Sequence, residues 1–244
     1  MSRDENISII VGVINEEENI LLFLDELDKT LSKRNDNRID ELVIVDDGSI
    51  DETIPRIKAN LTGHPYSISL FERTRKKGRV DADIFGSSKA KNEVVIVMDC
   101  DLQHPVEYIP LLVEIFDQDY DMVVASRYIR NGGSDWPPLR GILSRGGVFL
   151  SYLFVPSSRG IRDPMSGYFL VRRKLLSMLT PYNNSYKSVL YIVSRHPGIK
   201  IGEIPFIMKS RNRGESKIVG RNFNFFKNFI VELIRYRKIT DKVK

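Results

Sequence analysis

The stretch VVIVMDCDLQHP, from Val94 to Pro105, runs five apolar residues directly into two carboxylates, Asp99 and Asp101. An unbroken apolar run of this length is typical of a strand that is buried on both faces of a parallel sheet. The carboxyl ends of such strands form the edge at which open α/β sheets bind ligands. Two carboxylates this close repel each other unless a cation lies between them. Oxygen ligands of this kind favour Mg²⁺ or Mn²⁺, although an acidic turn after a strand explains the pattern as well.

Strands and helices alternate along the chain on both sides of this stretch. Apolar segments predict further strands at residues 7–13, 41–45, 67–72 and 122–125, with helical spacing between them. This alternation predicts an α/β fold with a doubly wound, mostly parallel sheet and flanking helices. Asn15-Glu16 and Asp46-Asp47 follow the first two strands, so we expect them at the same sheet edge as Asp99. Asn15 is also expected to cap the helix after the first strand.

The composition predicts an ordinary globular chain. Of the 244 residues, 42% are hydrophobic and 28% charged. The single cysteine, Cys100, excludes an internal disulfide and is compatible with a reducing cytosol. The N-terminus has no signal-peptide pattern, and no apolar run reaches the roughly 18 residues of a membrane-spanning helix. The simplest division is one domain over residues 1–219, followed by a basic amphipathic helix and tail over residues 220–244.

Basic side chains are concentrated near the C-terminal end. From Pro205 to Lys244 eleven Lys and Arg stand against three Asp and Glu, a net charge of +8, while the rest of the chain carries −3. This asymmetry indicates an anionic partner such as a phosphate or a lipid headgroup, although a solvated basic tail explains it equally well. No nucleic-acid-binding motif is present, and no Gly-rich phosphate-binding fingerprint follows the first strand. We therefore expect no nucleic-acid partner.

Eight short motifs follow one another in the order of a known family. They are Asn15-Glu16, Val45-Asp46-Asp47-Gly48-Ser49 with Asp51, Lys77-Gly78, Met98 to Pro105, Ala125-Ser126-Arg127-Tyr128 with Gly132-Gly133, Trp136 with Arg140 and Ser144, Asp163 to Phe169, and Arg213 to Lys217. On these residues the chain resembles glycosyltransferase family 2 enzymes with the GT-A fold, and among them the dolichyl-phosphate mannose synthases.

The resemblance implies a role for each matched position. The divalent cation on the donor diphosphate would be held by Asp99, Asp101 and Gln103. The nucleotide-sugar donor would contact Glu16, Asp46, Asp47, Lys77, Asp99 and Cys100. The acceptor phosphate and the departing diphosphate would be bound by Arg127, Arg140, Ser144, Arg213 and Lys217. Asp101 would take part in catalysis through the cation that it holds.

The chain departs from the family pattern in three places. The family usually has Pro and Tyr where this chain has Gly12 and Ile14, so a tyrosine that could contact the base is absent. Cys100 stands where Ala is common, and Arg79-Val80 stands where Leu-Gly is frequent. The first and third departures leave the identity of the nucleotide open.

The resemblance implies an inverting glycosyltransferase that moves a hexose, with mannose from GDP-mannose favoured, to a polyprenyl or dolichyl phosphate. An acceptor that is already anionic needs no strong general base. It needs a cation that stabilises the leaving group, and Arg side chains that grip phosphates. A UDP-sugar donor such as UDP-glucose remains an alternative, as does a catalytically degenerate homologue that binds nucleotide or acts as a scaffold.

A lipid-linked acceptor implies a membrane surface. The apolar helix predicted from Leu139 to Phe154 could lie beside the acceptor site at that surface, or be buried in the core. The C-terminal helix could lie on anionic lipid or pack on the domain or on a second protomer. Its apolar residues are Phe223, Phe225, Phe226, Phe229, Ile230, Leu233 and Ile234. We expect a cytoplasmic protein that is peripheral on the cytoplasmic face of a membrane, with a membrane-protein partner or a second copy as possible further partners.

Overall fold

The computed structural model describes residues 5–34, 38–74, 78–180, 187–210 and 222–243. The strands are β1 Ile7–Val13, β2 Ile39–Asp46, β3 Ser67–Glu72, β4 Val94–Met98, β5 Met122–Ser126, β6 Gly133–Ser134, β7 Phe169–Arg172, β8 Ile201–Pro205 and β9 Ile207–Met208. The helices are α1 Ile20–Arg34, α2 Thr53–Lys58, α3 Arg79–Lys89, α4 Ile109–Phe116, α5 Pro138–Phe154, α6 Arg173–Ser177, α7 Ser188–Arg195 and α8 Asn222–Val243.

Seven strands form one sheet in the order β3-β2-β1-β4-β7-β5-β8, and β6 pairs with β9 in a separate ribbon. Neighbours in the large sheet are parallel except at β7, which runs antiparallel to both β4 and β5. The predicted doubly wound, mostly parallel α/β architecture with flanking helices is therefore confirmed. The antiparallel β7 means that the loop before this strand, and not the loop after it, opens at the same edge as the carboxyl ends of β1, β2 and β4.

The core lies on both faces of this sheet, which explains the unbroken apolar run of β4. Val94, Ile96 and Met98 belong to the apolar layer under α1 and α4. Val95 and Val97 belong to the opposite layer, with residues of α3, α6, α7 and α8. Because successive side chains of a strand point to opposite faces, a strand covered on both sides exposes none of its side chains to water.

The expectation that Asn15 caps the first helix is wrong. Helix α1 begins at Ile20, five residues later. Asn15 has φ 50°, and its side-chain oxygen accepts a hydrogen bond from the backbone N–H of Ile50 at 2.9 Å. The side chain therefore connects the loop after β1 to the loop after β2, where both border the sheet edge.

Helix α8 packs against α7 and α5 of the α/β domain. Phe229 and Leu233 are buried against the domain, so of the alternatives for this helix the structure has domain packing at these two positions. Phe223, Phe225 and Phe226 lie in a part of the helix whose side chains are outside the described residues. In the described ranges, no helix combines the length and the hydropathy needed to cross a membrane.

Candidate active site at the carboxyl edge of the sheet

The motif residues that the structure describes come together at one edge of the sheet. Parallel pairing aligns Val13 at the end of β1 with Asp46 at the end of β2, and Met98 at the end of β4 with Val11. The loop from Asp163 to Tyr168 leads into the antiparallel β7 and reaches the same edge. Loops from four strands therefore surround one region. The sequence predicts three of them, those after β1, β2 and β4, and not the loop before β7.

The loop from Asp99 to Gln103 is a fixed turn. The Oδ1 atom of Asp101 accepts the backbone N–H of Gln103 at 3.1 Å, and Leu102 between them has φ 58°. A positive backbone φ is uncommon for a residue such as leucine, and backbone strain of this kind is concentrated at functional sites. Asp101 is buried, whereas the side chain of Asp99 is 31% exposed. The turn thus keeps one carboxylate inside and presents the other at the surface.

His104 fixes the start of this turn. Its Nδ1 accepts the backbone N–H of Asp99 at 3.0 Å, and its ring stacks on Tyr168 with 5.2 Å between centroids. Burial, with the positive charges of Arg79, Arg127 and Lys187, holds the pKa of His104 well below its usual value. The imidazole is therefore neutral at physiological pH and remains an acceptor for this bond.

The turn offers oxygen ligands suited to a hard divalent cation. Asp99 and Asp101 supply carboxylates, and Gln103 supplies a side-chain amide oxygen. The amide nitrogen of Gln103 donates to the carbonyl of Lys209 at 3.0 Å. Across the described residues, no three His, Cys, Asp or Glu side chains cluster closely enough to hold a metal ion. Mg²⁺ usually takes only one or two carboxylates together with water and substrate phosphates, and the residues present fit that mode.

Asp46 is committed to the turn that follows it. Its carboxylate accepts the backbone N–H groups of Gly48 and Ser49, at 2.8 and 2.9 Å, and also the hydroxyl of Ser49. The side chain has no exposed surface. Asp46 thus shapes the loop after β2, and its contact with the nucleotide stays a prediction.

Glu16 is held between the same two loops. Its backbone N–H donates to Oγ1 of Thr53 at 2.8 Å, and its carboxylate accepts from the side-chain amide of Asn19 at 2.7 Å. Glu16 is buried, so its position is set by the loop after β2 as well as by its own. Its contact with the donor stays a prediction.

Asp47 forms a buried ion-pair network that the sequence analysis did not predict. Arg73, after β3, pairs with Asp47 through one Nη atom and with Asp81 of α3 through the other. The other oxygen of Asp47 accepts the backbone N–H of Gly78 at 3.1 Å. The carboxylate is thus fixed at the start of α3, and any contact with the donor would come from this fixed position.

Arg127 is paired inside the protein. Its guanidinium donates through Nε to Oδ2 of Asp163 at 2.7 Å and through Nη2 to Oδ1 at 2.8 Å. Burial alone would lower the pKa of Arg127, but the hydrogen bonds to Asp163 outweigh this effect and raise it. The carboxylate of Glu203 in turn accepts the backbone N–H groups of Arg162 and Asp163, at 2.9 and 3.1 Å. Arg127 therefore anchors the loop before β7, and its predicted contact with a phosphate remains a prediction.

Aromatic rings and cations line the start of α5. The guanidinium carbon of Arg140 lies 4.0 Å from the centre of the Trp136 ring, and that of Arg127 lies 4.9 Å from it. Ser144 accepts the hydroxyl of Tyr128 at 2.7 Å. The predicted residues Arg127, Arg140 and Ser144 thus share one neighbourhood, bridged by two aromatic side chains.

Lys187 is a further cation in this region that the sequence analysis did not identify. Its ammonium donates to the carbonyl of Met165 at 3.0 Å, in the loop before β7. Burial, together with the charge of Arg127 and against the charges of Asp163 and Glu232, lowers the pKa of Lys187 to about 8. Its position before α7 carries no local signal that would reveal this contact.

The remaining predicted residues are either in the core or beyond the described ranges. The side chain of Cys100 is buried in the apolar layer under α1 and α4, so a contact with the donor would have to use its backbone. Lys77, Arg213 and Lys217 lie outside the described residues. Of the segment that carries the last two, the structure describes residues up to Ser210, and Lys209 donates its backbone N–H to the carbonyl of Gln103 at 3.3 Å.

Comparison with models of known protein families identifies the family of this chain. The model for Glycosyl transferase family 2 matches residues 8–179, from the first strand to the end of α6. The chain belongs to glycosyl transferase family 2. The resemblance predicted from the eight motifs is thereby confirmed, and this family 2 domain contains the whole sheet edge except the part built by β8 and the residues after it.

Curated relatives match nearly the full length of this family 2 chain. Dolichol-phosphate mannosyltransferase of Pyrococcus furiosus is 32% identical over 238 residues, which are 97% of this chain and 66% of that protein. Dolichol-phosphate mannosyltransferase of Saccharomyces cerevisiae is 31% identical over 224 residues, covering 88% of this chain and 81% of that protein. The chain thus spans about two thirds of the archaeal relative and more of the yeast one.

Solved structures share the fold at lower identity. Glucosyl-3-phosphoglycerate synthase from Mycobacterium tuberculosis, in complex with Mn²⁺, UDP-glucose and phosphoglyceric acid, superposes with a TM-score of 0.71 at 19% identity. The match covers 96% of this chain and 80% of that one. The same enzyme in complex with UDP gives a TM-score of 0.69. At this identity the similarity supports the GT-A type of fold.

Proposed function

We propose that this chain transfers a hexose from a nucleotide sugar to the phosphate of a polyprenyl lipid, with mannose from GDP-mannose and dolichyl phosphate as the favoured pair. The observation that carries the proposal is the arrangement of the sheet edge. The Asp99–Gln103 turn lies at the end of β4, Arg140 lies at the start of α5, and Lys187 donates to the loop before β7. The names of the curated relatives support the choice of donor and acceptor.

On the donor side, Asp99, Asp101 and Gln103 would hold Mg²⁺ or Mn²⁺ together with the diphosphate. When bound, the cation would stabilise the negative charge that develops on the departing diphosphate. The chain itself contributes a rigid support. His104 holds the start of the turn through the Asp99 N–H, and Lys209 holds its end through Gln103.

On the acceptor side, the chain needs to bring one anion to another and needs no strong base. An oxygen of the lipid phosphate would attack the anomeric carbon of the sugar, while the bond from that carbon to the diphosphate breaks; in-line attack inverts the configuration. We assign the phosphate to Arg140, whose guanidinium lies over Trp136 at the start of α5 and could grip a phosphate with two N–H groups. Arg127 holds the loop of Asp163, and its predicted contact with a phosphate would come from this anchored position.

The lipid would reach this site along α5. Ile142, Phe149 and Leu153 are each more than half exposed and recur at helical spacing on one side of the helix, with Leu143 next to them. Four large exposed apolar residues on one helix, with Arg145 among them, suit the interface of a membrane that contains anionic lipid. We place the protein on the cytoplasmic face of such a membrane, where a membrane-protein partner or a second copy could also bind.

A UDP-sugar is the second candidate donor. Ile14 stands where the family pattern leads us to expect a tyrosine, so the chain lacks one side chain expected to contact the base. The fold neighbour in complex with UDP-glucose indicates that this architecture accommodates a uridine nucleotide in another protein. The same reaction with UDP-glucose would use the same turn and the same cations.

A donor screen tests the proposal. The full chain is incubated with dolichyl phosphate in detergent, Mn²⁺ or Mg²⁺, and radiolabelled GDP-mannose, UDP-glucose or other nucleotide sugars, and label is counted in the lipid extract. We expect label from GDP-mannose, removed by EDTA and absent in Asp101→Asn. Label from a UDP-sugar alone would select the second donor. No transfer from any donor, with nucleotide binding retained, would favour a degenerate binding protein or scaffold.

A further inference from the structure

Arg79 faces the candidate metal turn in this structure. One Nη atom of its guanidinium is paired with Oδ1 of Asp99, and its Nε donates to Oδ1 of Asp83 at 2.9 Å. The other Nη atom donates to the carbonyl of Gly167 at 3.5 Å. A cation of the protein itself therefore lies beside the carboxylate that the proposed function gives to the divalent cation.

Asp83 holds the guanidinium of Arg79 in position. The side chain of Asp83 is only 2% exposed, and its second oxygen accepts the hydroxyl of Ser188 at 2.6 Å. Asp83 is thus fixed between two helices, α3 and α7, and orients the guanidinium that it binds. Because Nε and Nη1 bind different carboxylates, the planar guanidinium bridges Asp83 and Asp99 in a way that a single ammonium would not.

Two departures of this chain from the family pattern meet at this arginine. A Cβ atom built on Gly12 would lie 3.9 Å from Cδ of Arg79 and 3.4 Å from Cβ of Ala82. A larger residue at position 12, such as the proline common in the family, would reach further toward the arginine stem. The space that a side chain at position 12 would enter is therefore bordered by the stem of Arg79.

A guanidinium on Asp99 changes how the turn can bind a metal. A divalent cation that arrives alone must share Asp99 with Arg79, and two like charges at one carboxylate repel each other. A nucleoside diphosphate reverses this balance, because its oxygens ligate the cation and also offer the guanidinium a new anionic partner.

We propose that Arg79 competes with the divalent cation for Asp99, so that the cation binds tightly only together with a nucleoside diphosphate. This inference rests on the metal turn of the proposed function. Arg79 is then a positioning residue. It neutralises Asp99 before the donor arrives and pairs with the diphosphate afterwards.

Mn²⁺ binding to the full chain tests the competition without any transfer reaction. Free Mn²⁺ is measured by electron paramagnetic resonance, with and without GDP or UDP, for the wild type, Arg79→Leu and Arg79→Lys. We expect Arg79→Leu to bind Mn²⁺ alone about tenfold more tightly than the wild type, and the gain from adding nucleotide to shrink by about the same factor. Arg79→Lys should fall between the two.

A matched control removes an arginine elsewhere. Arg173→Leu eliminates a partly exposed ion pair with Glu93, before β4 and so at the opposite edge of the sheet, and should bind Mn²⁺ like the wild type. Circular dichroism checks folding, and Arg79→Lys carries the test if the leucine variant unfolds. Equal Mn²⁺ affinity of the wild type and the Arg79 variants, with binding retained, would refute the competition and leave the metal turn standing. No Mn²⁺ binding by any variant, with or without nucleotide, would refute both.

Discussion

Arg127 and Asp163 form a bidentate ion pair in which the arginine side chain is 6% exposed and the aspartate side chain is not exposed at all. The pair connects the end of β5 to the loop before β7, and the backbone N–H of Arg127 also donates to Asp163 at 3.1 Å. Three hydrogen bonds to one carboxylate make this contact a structural anchor of the candidate acceptor side.

Removal of one partner should cost much of the protein's stability. Asp163→Asn leaves the guanidinium of Arg127 buried without its counter-charge, and we expect the free energy of unfolding in urea to fall by about 3 kcal/mol or more. The control Asp119→Asn changes an aspartate that pairs with Lys200 at the surface, and should leave stability unchanged. Equal effects of the two substitutions would contradict the anchoring role.

Asp101→Asn should abolish Mn²⁺-dependent binding of nucleotide while leaving the fold intact. The substitution keeps the size of the side chain and an oxygen that can accept the Gln103 N–H, but removes the charge offered to the cation. Isothermal titration with GDP and UDP in the presence of Mn²⁺ measures the effect. Asp117→Asn, at the end of α4 and away from the site, serves as the control. Unchanged Mn²⁺-dependent affinity in Asp101→Asn would remove Asp101 from the metal turn.

Lys187 should make stability depend on pH in the alkaline range. Its pKa is about 8 in the folded protein, against 10.5 as its ordinary value. Between these values the unfolded chain binds a proton that the folded chain lacks, so this residue's contribution to stability rises with pH from 8 to about 10.5. Relative to Lys187→Met, the wild type should gain about 1 kcal/mol or more between pH 7.5 and pH 10.5 in urea unfolding. A constant difference between the two proteins would show that the pKa of Lys187 is ordinary.

The exposed apolar side of α5 should determine binding to lipid. We expect the double variant Ile142→Ser with Phe149→Ser to bind anionic liposomes containing dolichyl phosphate at least about fivefold more weakly in flotation assays, because each buried apolar side chain contributes to insertion. Met178→Ser, an exposed apolar residue just after α6, is the control. Liposome binding that is equal in all three proteins would exclude α5 as the membrane contact.

The sheet was predictable from sequence wherever the signal is local. In β1, β2 and β4 an apolar run is followed directly by polar residues. The pattern therefore indicates both the strand and the edge of the sheet at which it ends. The direction of β7 was not predictable. Its pairing with β4 and β5 depends on where the chain returns after α5, and no short pattern encodes that path.

The candidate site was predictable as a set of residues and less so as a set of contacts. Sequence gives the residue type at Asp46 and Arg127, but not that the first closes its own turn and the second pairs with Asp163. Arg79 stood out as a departure from a pattern, yet its partner Asp99 lies twenty positions further along the chain. Side chains of the right chemistry can thus be found at the right edge while their partners depend on the tertiary fold.

The insertion of β7 between β4 and β5 determines when the sheet can be completed during synthesis. A nascent chain that has left the ribosome only as far as residue 160 contains β4 and β5 but not the strand that joins them. The edge of β4 that β7 later covers then has unpaired backbone groups beside five apolar side chains, which is a hazard for aggregation. The backbone pairing of β4, the strand that carries the Asp99 turn, is therefore completed only after the segment that follows α5 has been translated.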